Sequence, residues 1–322
     1  MDKLLLNSYV SVYIFSELIT LILTLILLYI TIKGIIKWDF NSTSKEQYSL
    51  EKSIYLGSII SNFLLIVKFI LLIYLVYTLD AISIYIPGAM CAAGVVSANS
   101  YGMVLLGVKF ITIFTLFFWA ILEDYDLKAK YYPIFKQRSY ILLIAIFFIF
   151  LEIYLDYSYF SNIDINAPVN CCSTLYGTLE GQNPLPFGLD IKNLLTIFAL
   201  LFLALIVLLF IEIDLLIFIV VPIFVIISYY SIVYFFGTYI YELPTHKCPF
   251  CMMQKEYYYV GYLVWGTLFF GSIFAIIWAI MRVWLKTNYK RLKNISIWLL
   301  ILFALLNSSY VLIYYLKNGV FL

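Results

Sequence analysis

Long apolar stretches alternate with short polar breaks along this chain, and eight of them reach the roughly 20 mostly apolar residues that a helix needs to cross a bilayer. They cover about 8–33, 54–78, 101–122, 139–157, 193–211, 215–240, 257–283 and 295–316. The pattern predicts an all-α, polytopic transmembrane helix bundle of about eight spans, organised as one integral membrane domain over 1–322. Between Leu194 and Tyr241 the apolar run carries only two charged residues, Glu212 and Asp214. Its length fits two spans joined by a tight turn at those acids better than it fits one.

The basic residues give an orientation, because cytoplasmic loops retain lysine and arginine while translocated loops are poor in them. Lys33, Lys37, Lys45 and Lys52 surround the break after the first span, and Lys128, Lys130, Lys136 and Arg138 the break after the third. Arg282, Lys286, Lys290, Arg291 and Lys293 follow the seventh, and only Lys3, Lys192, Lys247, Lys255 and Lys317 fall on the opposite side. Both termini are then expected to be extracytoplasmic. So are the loops 79–100, 158–192 and 241–256, which would form a small cap. A single span over 193–240 would put the basic break after the next span on the wrong side, a second reason to divide that run.

Composition agrees with this reading. The chain is 65% hydrophobic and 12% charged, against about 45–50% apolar and about 25% charged for a soluble domain. The bilayer is the expected partner. A net charge of +2 without a basic cluster argues against nucleic acid as a partner. The stretch from Tyr9 to Trp38 exceeds a signal-peptide core of roughly 7–15 residues and lacks a small-residue cleavage site, so it reads as a retained first span. No repeat of roughly 20–50 residues is visible.

The candidate chemistry is concentrated. All five cysteines and the single histidine lie in the three outer loops: Cys91 in the first, Cys171 and Cys172 in the second, His246, Cys248 and Cys251 in the third. Two cysteines three apart can close a small disulfide ring. A thiol beside a cation or a helix amino terminus ionises more readily, and the thiolate is the species that attacks disulfides. His246, Lys247 and Lys255 are candidate sources of that charge.

The run Cys248-Pro249-Phe250-Cys251-Met252-Met253-Gln254-Lys255 resembles the Cys-x-x-Cys-x-x-Gln-Arg segment of the DsbB-type membrane thiol oxidases, over eight residues. That resemblance implies a thiol-disulfide oxidoreductase in a bacterial or archaeal cytoplasmic membrane, acting on extracytoplasmic thiol proteins and passing electrons to a quinone. It makes Cys248 and Cys251 the quinone-proximal pair and puts Lys255 in place of the quinone-side arginine. A second cysteine pair in another outer loop exchanges with the first in that family, a role that falls here to Cys171 and Cys172. Tyr258, in the aromatic cluster at the mouth of the seventh span, is the candidate to stack on the quinone headgroup, with an interface belt as the alternative.

Two other readings of the thiols stay open. Thiolate, thioether and imidazole together select Cu(I), and Cys91, His246 and Met252 extend the cysteine set into a soft-metal site. Extracytoplasmic cysteines also serve as plain structural bridges, which would suit a permease whose chemistry lies elsewhere.

Charges inside spans are costly and therefore informative. Lys68 lies mid-span in the second helix, where snorkelling or a structural pair explains it. Glu17 and Lys109, each about a third of the way along its span, suggest an ion pair or a proton-carrying group. Glu152 and Asp156 sit near the outer end of the fourth. The loop around Cys91 has no charged residue from Ala81 to Val108 and contains Pro87, Gly88, Gly94 and Gly102. It is expected either to pack into the protein or to rest on the bilayer surface.

Overall fold

The computed structural model describes residues 5–40, 42, 44–129, 131–169, 185 and 188–322. Eight of its helices are long and apolar enough to cross a membrane, and there is no β-strand among the described residues. The physical reason is the bilayer itself, because hydrocarbon offers no partner to a free backbone N–H or C=O and a helix satisfies its own.

The chain divides into two compact units, 1–169 and 170–322. The first holds α1 (Ser8–Lys37), α2 (Lys45–Ile82), a short α3 (Ala92–Val96), α4 (Tyr101–Lys128) and α5 (Phe135–Ser161). The second holds α6 (Ile191–Ile211), α7 (Asp214–Tyr241), α8 (Val260–Leu285) and α9 (Lys290–Asn318).

Helix starts follow from capping chemistry. The side chains of Asn7, Ser44 and Asp190 accept hydrogen bonds from Tyr9, Gln47 and Ile191, satisfying amides that have no partner in the first turn. α9 ends on Gly319 at φ +74°, the left-handed stop that glycine adopts without strain.

The division of the long apolar run is as expected. α6 ends at Glu212, which adopts a left-handed conformation with φ 66°, and α7 starts at Asp214. The turn is held by side chains from the last turn of α8 and the first turn of α9: Arg282 meets Glu212 at 2.7 Å and Lys293 meets it at 2.5 Å. Thus the acidic turn and the basic loop share one end of unit 2. At its other end Lys317 pairs with Glu242 at 3.1 Å.

The spans run further than their apolar cores, because the helices continue as amphiphilic turns into the loops; α2 alone is 38 residues long. In unit 1, Trp38 stacks on Phe135 with ring centroids 4.4 Å apart, and Tyr132 reaches Glu51 at 3.4 Å. These contacts place the α1–α2 and α4–α5 connections at the same end. Arg138 locks the latter by pairing with Asp126 at 2.8 Å and Glu123 at 3.3 Å.

The uncharged loop after α2 packs into its unit. Tyr159 on α5 donates to the Val95 carbonyl at 2.7 Å, Asn99 donates to the Tyr159 carbonyl at 2.9 Å, and the Val169 amide donates to Pro87 at 2.9 Å. Gly88 is required here twice over: its φ is +82°, and a Cβ would stand 2.3 Å from the Val169 carbonyl oxygen.

Candidate functional site: a thiol turn and a buried charge network

The third cysteine loop begins where α7 stops. A π-helical turn over Ile232–Phe236 precedes the last helical turn, Gly237–Tyr241, and Glu242 closes it in the left-handed region with φ 53°. Insertions of this kind shift the phase of a helix and recur at functional sites. Tyr241, buried in this last turn, is the brace of the loop. Its hydroxyl donates to the Cys248 carbonyl and accepts the Met252 amide at 3.0 Å. Its ring packs edge-on against His246 and Tyr257, with centroids 4.3 Å and 4.8 Å away.

Cys248 and Cys251 both lie buried on the resulting turn, with sulfurs within 4.8 Å of each other. The Phe250 amide points at Cys248 Sγ from 3.4 Å, and Trp265 on α8 donates its indole N–H to the Pro249 carbonyl at 3.1 Å. Cys251–Met253 forms one 3₁₀ turn, and Lys255–Tyr257 a second. The motif therefore does not run straight into the seventh span. Two residues at positive φ, Tyr258 (54°) and Tyr259 (57°), separate it from the start of α8 at Val260.

The other residues expected here have distinct placements. Lys247 sits over the Tyr234 ring at 4.8 Å from its centroid. Met252 is fully buried and packs on glycine: a Cβ on Gly261 would lie 2.6 Å from its Cγ, and one on Gly237 3.7 Å from its methyl. Lys255 is exposed, and Tyr258 is 90% exposed. Burial, then Cys251 and Glu256 nearby, push the Tyr257 phenol above its ordinary range. Cys91 is fully buried in unit 1 at the residue preceding α3, beside an exposed Met90. Cys171 and Cys172 lie outside the described residues.

Unit 1 contains a second concentration of chemistry, and the sequence showed its charged members but not their union. Tyr13 and Glu17 of α1, Lys68 of α2, Lys109 of α4, and Glu152 and Asp156 of α5 are each no more than 3% exposed. Lys68 bridges Glu17 at 2.5 Å and Glu152 at 3.2 Å. Lys109 meets Glu152 at 2.7 Å, Asp156 at 2.9 Å and Glu17 at 3.6 Å. The Tyr13 hydroxyl lies 2.9 Å from Asp156 and 3.2 Å from Glu17, with Thr20 donating to Glu17 at 3.0 Å. Lys68 thus does not snorkel; it is a link in a network joining four helices. Tyr13 was missed because a tyrosine in a tyrosine-rich span has no distinguishing mark until its partners are known.

These features define a helical integral membrane protein with a buried cysteine pair in one extramembrane turn. No protein-family model, curated protein or solved structure matches the chain.

Proposed function

We propose that the chain is a membrane thiol-disulfide redox protein acting on the extracytoplasmic face, with Cys248 and Cys251 as the exchanging pair. The observation that carries this reading is the approach of the two sulfurs to within 4.8 Å on a buried turn. From there small side-chain rotations suffice to make or break the S–S bond of about 2.05 Å.

In the oxidised pair, a thiolate of an incoming dithiol attacks one sulfur and the Cys248–Cys251 bond breaks as a mixed disulfide forms. The second thiolate of the substrate then displaces the enzyme sulfur, so the substrate leaves as a disulfide and the pair is left as two thiols. Re-forming the pair releases two electrons and two protons, which a membrane quinone accepts to become quinol. Cys171 and Cys172 are the sequence-assigned second pair of this relay. The Tyr241 brace suits the task because it fixes both ends of the turn through main-chain atoms and leaves the sulfurs to react.

The test uses the full chain in quinone-containing vesicles with a dithiol peptide. Peptide oxidation matched one for one by quinol formation, abolished in both Cys248→Ser and Cys251→Ser, supports the proposal. Oxidation at the wild-type rate in either variant overturns it.

A further inference from the structure

The charge network of unit 1 does not balance. Three carboxylates (Glu17, Glu152, Asp156) face two ammonium groups (Lys68, Lys109). One negative charge is left over inside a membrane-spanning helix bundle, where an uncompensated charge is very costly.

The network is short of a hydrogen as well. The Tyr13 hydroxyl lies between two carboxylate oxygens, 2.9 Å from Asp156 Oδ1 and 3.2 Å from Glu17 Oε1. A phenol carries a single hydrogen, so donating it to one of these oxygens leaves Tyr13 facing the other with no hydrogen between the two. A proton on either flanking carboxyl supplies the missing hydrogen and cancels the excess charge at once.

The lysines decide between the carboxyls. Glu152 Oε1 takes both ammonium groups, at 2.7 Å and 3.2 Å, and is held ionised. Glu17 Oε2 takes Lys68 at 2.5 Å and the Thr20 hydroxyl at 3.0 Å, with Lys109 3.6 Å from Oε1. Asp156 pairs with Lys109, at 2.9 Å on Oδ2, and turns its Oδ1 to Tyr13. The neighbouring phenols are committed elsewhere: Tyr159 donates to the Val95 carbonyl at 2.7 Å, and Tyr74, stacked on the Tyr13 ring, reaches the Tyr9 carbonyl at 3.4 Å. The segment from Ala81 to Val108, which includes α3, brings no charge.

We propose that Asp156 is a proton-binding site in the membrane interior, its Oδ1 carrying one exchangeable hydrogen that is donated to Tyr13, which donates its own to Glu17. Uptake forms the Oδ1–H bond and turns the Tyr13 hydroxyl toward Glu17. Release hands the proton to water, restores the carboxylate and lets Tyr13 donate back to Asp156. A metal cation is disfavoured here, because it would stand beside the Lys109 ammonium on the same carboxyl, whereas a proton brings its charge inside the bond to oxygen. This inference concerns unit 1 alone and stands or falls independently of the thiol chemistry.

Infrared difference spectroscopy of the full chain in lipid bilayers at neutral pH, on transfer from light to heavy water, tests it. Removing any one of the three carboxylates would balance the charge, so the assignment is made on the wild type, with carbon-13 placed on the carboxyls of either aspartate or glutamate. The expected result is a deuterium-sensitive carboxylic-acid C=O stretch that moves with the aspartate label, is lost in Asp156→Asn and is kept in Asp126→Asn, the control for the other buried aspartate of the network at Arg138. No such band, a band that moves with the glutamate label instead, or one that persists in Asp156→Asn overturns the proposal. Should Asp156→Asn fail to fold, Tyr13→Phe decides. Loss of the acceptor hydroxyl is expected to move the aspartate band to higher frequency, and a band left unmoved or abolished by that substitution defeats the assignment.

Discussion

Gly261 offers a sharp test of how the thiol turn is held. It lies in the first turn of α8, and a Cβ built on it would stand 2.6 Å from Met252 Cγ, 2.7 Å from Met253 Cγ and 2.9 Å from the Met252 carbonyl carbon. Side-chain rotation can relieve the first two contacts, but the third is with main chain, so the turn carrying Cys251 must move. Gly266, five residues along the same helix, has nothing within 4 Å of its would-be Cβ. Alanine gains about 0.5–1 kcal/mol over glycine within a helix at either position. Overpacking costs about 1–3 kcal/mol and applies at Gly261 only. Gly261→Ala is therefore expected to be less stable than Gly266→Ala by about 1–3 kcal/mol, and to label faster with maleimide at Cys251 as the turn loosens. Thermal unfolding in detergent, run beside timed labelling read by peptide mass spectrometry, measures both. If the two variants have equal stability and equal labelling rates, the packing of Met252 on α8 does not hold the turn.

Other expectations follow from the same contacts. Tyr241→Phe removes the hydroxyl that joins the Cys248 carbonyl to the Met252 amide and leaves both without that partner, a loss of about 1–3 kcal/mol in a denaturant titration. Lys68→Met leaves Lys109 alone to face Glu17, Glu152 and Asp156 and is expected to cost about 3–5 kcal/mol, more than half of it recovered in the double variant with Glu17→Gln; a double variant no more stable than the single would refute the pairing. The hydrogen bond from Lys293, with help from Arg282, holds the Glu212 carboxyl below the ordinary glutamate range, so its contribution is present above that range and fades as pH falls through the lowered value. Glu212→Gln should thus be less stable than wild type at neutral pH, by less than about 1 kcal/mol for a partly exposed pair, with the gap closing in acid. Metal analysis of the purified chain should find no stoichiometric copper; copper bound one per chain and lost in Cys248→Ser would assign the cysteines to soft-metal handling.

The span count was legible because apolar length alone decides it, and even the turn at Glu212 and Asp214 could be read from two charges in an otherwise unbroken run. The charges inside spans were equally visible, and the four-residue spacing of Glu152 and Asp156 already put them on one helical face. Their partnership with Lys68, Glu17 and Tyr13 was not visible, since it depends on how four helices are rotated and offset against each other, which no local pattern records. The thiol turn shows the same limit. The spacing of Cys248 and Cys251 marked a pair, yet the brace that shapes it is Tyr241, one of 30 tyrosines and separated from the motif by a left-handed residue and a loop. Met252 carried a thioether suited to a metal and also a shape suited to packing, and only the glycines facing it, Gly237 and Gly261, reveal the packing.

Redox titration of the full chain in membranes, with differential alkylation of Cys248 and Cys251 read on their shared peptide, addresses the account most directly. The account predicts that the two thiols disappear and return together, in a single two-electron step, with the peptide two hydrogens lighter when oxidised. If instead the two cysteines alkylate fully at every applied potential, or change independently of each other, they are not a redox pair.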